Sequence, residues 1–114
     1  MTENLIAEKG WGDLTFEQKS KIVNGAGAAG DWRGAFIPNT LWGLDCRQVF
    51  DLHDYAYYVG RTKEDKYRAD ISMLINLIKV INQKGGFLSA FRKYRAMTYY
   101  AFVYEFGDDA FRKS

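Results

Sequence analysis

The chain has 114 residues, of which 47% are hydrophobic, 17% aromatic and 26% charged, with a net charge of +2. That is one domain's worth of protein with an ordinary globular balance, which argues against disorder, and the charge is too mild to point to nucleic acid. One cysteine, Cys46, excludes an intrachain disulfide, and one histidine, His53, excludes a multi-histidine zinc site and any chemistry needing two imidazoles.

The opening residues, MTENLIAEKGWGD, carry acids and no apolar core segment, so no secretory signal is expected. The most apolar run, 71–81, is broken by Asn76 and Lys79 and falls short of the ~20 residues of a membrane span. The first helix is expected over 15–23, with Thr15 and Gln18 forming a capping box and Asn24-Gly25 ending it. An irregular loop follows over 24–39, and within it Gly25-Ala26-Gly27-Ala28-Ala29-Gly30 spells G-x-G-x-x-G. A dinucleotide fingerprint follows a strand and opens a helix, whereas this one follows a helix, so that reading is rejected. Two readings stay open: a flexible connection, or backbone carbonyls converging on a hard cation such as calcium.

The second helix is expected from Asp45, as N-cap, to Tyr58, stopped by Gly60. Thr62 caps a third helix that runs to Lys84 with an apolar stripe at Tyr67, Ile71, Leu74, Leu77, Ile78 and Ile81. Ser89 opens a fourth, ending at Phe106, with a stripe at Phe91, Tyr94, Thr98, Ala101, Phe102 and Glu105. No segment alternates with the period of a strand, so a single all-α domain over 1–114 is expected, built on two long antiparallel helices.

The short connection at Gly60-Arg61 sets the register of that hairpin and brings His53 within a turn of Asp70. An aspartate on a helix face shared with apolar residues needs a partner, and His53 is the one on offer. A carboxylate on one imidazole nitrogen fixes the tautomer and leaves the other nitrogen as a base. Asp54 adds a second carboxylate, and Tyr57, one turn on from His53, reaches toward Asp70. Asp65 competes for the partner role, but it suits the first turn of its helix better. A buried pair that only satisfies itself is the competing structural reading.

These residues resemble a known family. His53-Asp54-Tyr55-Ala56-Tyr57 is similar to the H-D-x-x-Y signature of the phospholipase A2 superfamily, and Arg68–Leu74 is similar to the second-helix segment of its compact, disulfide-poor viral and bacterial branches. The likeness covers about residues 24–80. It implies a phospholipase A2-like fold and calcium-dependent hydrolysis of the sn-2 ester of glycerophospholipids. By that likeness His53 is the general base, Asp70 orients it and Tyr57 braces Asp70. Asp54 holds calcium, with main-chain carbonyls around Gly25, Gly27 and Gly30. The partner implied is a phospholipid substrate or membrane surface, approached through Trp32, Phe36 and Trp42 and through the cations Arg61, Lys63, Lys66, Arg68, Arg92, Lys93 and Arg95. The expected location is the cytoplasm, or delivery by a phage or another non-classical route. The glycine loop is sparser than the C-G-x-G-G of the secreted enzymes, so an inactive binding or structural module of the same fold is the alternative.

Overall fold

The computed structural model describes residues 5–25, 40–108 and 111. A short turn of 3-10 helix, Trp11–Asp13, leads into α1, Phe16–Gly25; a small β-hairpin follows, β1 Thr40–Leu41 and β2 Leu44–Asp45, and then α2, Arg47–Val59, α3, Lys63–Lys84, and α4, Ser89–Phe106. The chain is mostly helical, and among the described residues no helix is long and apolar enough to cross a membrane.

Local chemistry explains the helix ends. Thr15 Oγ1 accepts from the Gln18 amide while the Gln18 side chain accepts from the Thr15 amide, so the expected capping box forms. Thr62 and Asp65 make a second one, and the Asp65 carboxylate also accepts from the Arg61 amide. Those two amides hold the Asp65 carboxyl down at about 2. Asp65 is thereby committed to its cap. The N-cap of α2 is Cys46 rather than Asp45. Asp45 instead pairs with Thr40 in the hairpin, and its carboxylate accepts from the Arg47 amide. The hairpin itself was not expected, because two-residue strands are too short to show a period. Its turn, Leu41-Trp42-Gly43-Leu44, has positive φ at both central residues, 47° at Trp42 and 86° at Gly43. This is the twist that tight hairpins favour.

α2 and α3 pack antiparallel across the Gly60-Arg61 connection, and α4 folds back along α3. Arg61 caps the end of α2 by donating from its guanidinium to the carbonyls of Val59 and Gly60. The main core gathers Phe50, Met73, Leu77, Ile81, Tyr99 and Val103 from the three helices. Cys46 lies in this core with its Sγ near the Leu44 carbonyl. Burial, followed by the Asp45 charge, pushes its thiol up to about 11.

The expected faces of α3 and α4 need correction in part: Leu77 and Ile81 are buried as expected, and Leu74 and Phe102 pack against the core. The buried positions of α3 are Lys66, Ala69, Asp70, Met73, Asn76, Leu77 and Ile81, whereas Tyr67 and Ile71 are exposed. The buried positions of α4 are Arg92, Ala96, Tyr99 and Val103, and the expected stripe through Phe91, Tyr94, Thr98 and Ala101 faces solvent. The reason is the same in both helices: polar side chains with internal partners occupy the core, and apolar ones are left outside.

Candidate functional site

α2 presents His53 and Tyr57 one turn apart on its buried face, with ring centroids 4.2 Å from each other. α3 presents Asp70 opposite them. His53 Nε2 lies 2.9 Å from Asp70 Oδ1, and the Tyr57 hydroxyl donates to the same oxygen at 2.6 Å. The other oxygen, Oδ2, accepts from Lys66 Nζ at 2.6 Å, one turn earlier on α3. Lys66 also donates to the main-chain carbonyls of Val103 and Tyr104 near the end of α4, and lies 3.8 Å from Asp108. A cation at a helix C-terminus is electrostatically favourable, so Lys66 fastens α4 as well as Asp70.

Burial alone would push the Asp70 carboxyl up. The hydrogen bond and charge of His53 oppose that, the bonds from Lys66 and Tyr57 add to the opposition, and the net shift is downward. Asp70 is therefore an ionised acceptor. A neutral His53 facing it carries its proton on Nε2, which places the basic lone pair on Nδ1. Burial raises the Tyr57 hydroxyl, and the Asp70 charge raises it further, so Tyr57 stays a donor. Its hydroxyl sits so close to Gly107 that a methyl there would overlap it, which makes Gly107 a requirement of this contact.

The site is closed. His53 is 2% exposed, and neither its Nδ1 nor Oδ2 of Asp54 reaches solvent. Beside His53 is a cavity of about 10 Å³ lined by Ile6, Glu8, Ala69, Ser72 and Asn76, near the lower limit for one water molecule. Its outer wall is the segment before the first helical turn. Asn76, buried on α3, accepts from the Ile6 amide at 2.7 Å and donates to the Ile6 carbonyl at 2.9 Å. Two further ties hold this strap: Arg68 to Glu8 at 3.8 Å, and the Tyr55 hydroxyl to the Lys9 carbonyl at 3.2 Å.

Of the sequence-expected residues, the fold brings His53, Asp70 and Tyr57 into one hydrogen-bonded cluster, with Asp54 next to His53 on α2. Gly25 is the last described residue of α1, which packs on α2; Gly27 and Gly30 lie outside the described residues, as do Trp32 and Phe36. Among the described residues no three His, Cys, Asp or Glu side chains converge as a metal cage. Asp54 has the chemistry of a calcium donor, a hard anionic oxygen, and its Oδ2 is drawn out of solvent. Lys66 and Arg92, expected as surface cations, are buried. Lys66 holds Asp70, and Arg92 donates to the carbonyls of Leu41 and Trp42. Sequence reading missed Lys66 as a site residue, although its place four residues before Asp70 on one helix was a usable signal. It also missed Asn76, whose partner lies 70 residues away.

A second, larger cavity of about 290 Å³ lies between α1 and α2, lined by Leu14, Ile22, Tyr55 and Tyr58 with Lys21 and Gln18. Positions 55 and 58 lie well around the helix from 53 at ~100° per residue, so this groove opens on a different side of α2 from the dyad.

Comparison of the chain with family models, with curated proteins and with solved structures found no match.

Proposed function

We propose that the chain is a phospholipase A2-like hydrolase that cleaves the sn-2 ester of glycerophospholipids in a calcium-dependent manner. The observation that carries this reading is the shared Asp70 oxygen, which takes His53 Nε2 at 2.9 Å and the Tyr57 hydroxyl at 2.6 Å. Two donors fix the carboxylate, the carboxylate fixes the imidazole tautomer, and Nδ1 becomes the nitrogen that takes a proton from an attacking water. Asp70 then balances the imidazolium that forms, and His53 returns the proton to the leaving alkoxide. Tyr57 and Lys66 hold Asp70 still throughout. Asp54, with main-chain carbonyls of the 25–30 stretch, would hold calcium, which supplies Lewis-acid polarisation of the ester carbonyl when bound.

The test is fatty-acid release from mixed phospholipid vesicles with calcium or with excess chelator. Wild type should release fatty acid only with calcium. His53→Ala and Asp54→Ala should each lower the rate at least a hundredfold, within the usual contribution of a general base, while keeping a wild-type circular dichroism spectrum. Full activity in either variant would remove the mechanism.

A second reading, an inactive module of the same fold, is favoured by the closure of the site, in which His53 is 2% exposed. It predicts no release from a well-folded sample under any condition, and no calcium heat in a titration.

A further inference from the structure

We propose that the chain forms a two-fold homodimer through the outer face of α3 and α4, with the helices of the two copies antiparallel. The inference goes beyond the hydrolase reading and holds whether or not His53 takes part in chemistry.

An apolar row lies on this face. On α3, Tyr67, Ile71, Ile75 and Ile78 follow one another at four-, four- and three-residue spacing, which keeps them on one side of the helix. On α4, Met97, Tyr100 and Tyr104 do the same. The Tyr67 and Tyr104 rings stack with centroids 5.1 Å apart, and Tyr100 lies 5.9 Å from Tyr104, so the two rows join into one. None of these residues is buried. Ile71 and Ile75 are each 40% exposed and Met97 is 53% exposed, Tyr67 and Tyr104 are exposed, and Ile78 and Tyr100 are half-buried. Single apolar side chains on a surface need no explanation, but a contiguous run along two helices marks an interaction surface. Phe91, stacked on Trp42 of the β-hairpin, and Phe87, 90% exposed at the α3–α4 turn, are not part of this row.

Charge identifies the occupant. Toward the Tyr67–Tyr104 end stand Glu64 and Glu105, both exposed, and Asp108, whose side chain is 49% exposed. From Ile71 to Tyr104 there is no acidic residue, and Lys79 and Lys93 stand toward the other end. Cations near the acidic end are engaged within the molecule: Arg61 on the carbonyls of Val59 and Gly60, Lys66 on Asp70, and Arg68 on Asp65. Lys63 is exposed there too, but it points ~100° around the helix from Glu64. A face that is acidic at one end and basic at the other complements a second copy of itself turned end for end.

The same pattern selects the symmetry. A two-fold axis lying in the face and across the helices sets α3 on α3 and α4 on α4, antiparallel, with acid over base. An axis along the helices would set acid over acid, which like-charge repulsion disfavours. The registers of the two helices agree. The midpoint between Glu64 and Lys79 falls beside Ile71, and that between Lys93 and Glu105 falls at Tyr99. The Tyr67–Tyr104 stack places Ile71 opposite Tyr100, so one axis serves both helices. Two helices are about 20 Å wide, and the face is ~25 Å long, so a dimer buries about 1,000 Å² in all, the lower limit for a specific interface. That size fits a reversible dimer of micromolar strength. The dyad stays clear of the contact, because Asp70, Met73 and Asn76 lie ~100° or more around α3 from Ile71 and Ile75.

The experiment is sedimentation equilibrium of the full chain in low salt and excess chelator, at concentrations from about 1 to about 500 μM. No substrate is present, so this inference and the hydrolase reading fail separately. The mass should rise from one chain to two and level off there, with a dissociation constant of about 10–100 μM. Ile71→Ser with Ile75→Ser should weaken association about tenfold or more. Glu105→Lys alone and Lys93→Glu alone should each weaken it about tenfold, because a symmetric dimer then sets like charges together twice. An equimolar mixture of those two variants should associate like wild type, since every such pair across the interface is again opposite in sign. The four positions are exposed or half-buried, so each variant should keep the wild-type circular dichroism spectrum. Wild type that stays monomeric, a serine variant that associates like wild type, or a mixture no better than its components would overturn the proposal. So would a mass that climbs past two chains without levelling off, which marks open-ended association.

Discussion

Asp70 is the residue on which the interior turns. Its two oxygens take a phenol, an imidazole and an ammonium, from side chains 13, 17 and 4 residues away. Because its carboxyl is held below the ordinary range, it stabilises the fold in full above the unfolded value of about 4, and that contribution fades as pH falls through the lowered native value. Urea midpoints measured from neutral pH downward should therefore drop more steeply for wild type than for Asp70→Asn, which has no carboxyl to protonate there. Lys66→Met leaves that carboxylate buried beside one cationic partner fewer, and should cost about 3–5 kcal/mol in urea unfolding at neutral pH. The double variant Lys66→Met/Asp70→Asn should recover part of the loss. A double-variant cost equal to the sum of the two single-variant costs would mean that the pair is not coupled.

At the scale of elements, the strap before the first helical turn governs access. Ile6 is bonded in both directions to the Asn76 side chain, so one substitution releases it. Asn76→Ala should raise the rate at which diethyl pyrocarbonate modifies His53, and with a single histidine in the chain the absorbance change reports that residue alone. An unchanged rate would place the barrier elsewhere. The Thr15–Gln18 capping box, the cap at Thr62, the antiparallel hairpin and the meeting of His53 with Asp70 were legible in sequence, because each depends on short spacings or on a connection too short to allow another arrangement. The strap was not, since a contact between Ile6 and Asn76 leaves no local pattern. The faces of α3 and α4 were partly misread for a related reason. Periodicity assigns apolar residues to the core, and here Lys66, Asp70, Asn76 and Arg92 take those places because each finds a partner on another element.

Taken whole, the molecule divides its labour along α3. The first half of the helix carries the polar cluster and its second packing group, in which Tyr57 and Ala69 meet Ala56 and Phe111. The second half carries the larger apolar core and ends at the aromatic turn. The mostly helical character followed from period and helix-end signals. The chemistry of the glycine loop did not, since Gly27 and Gly30 lie outside the described residues.

Cys46 gives this architecture an internal clock. It is the chain's one thiol, 1% exposed and held up at about 11, so a thiol-specific reagent meets almost no accessible thiolate in the native protein. Labelling should proceed at the rate of core opening, orders of magnitude slower than in denaturant, and its dependence on urea would separate local from global opening. Native labelling as fast as in denaturant would show that the hairpin side of the core is already open. The same inertness makes Phe87→Cys a site for selective conjugation, so a single fluorophore could be set at the tip of the α3–α4 turn without removing the native cysteine.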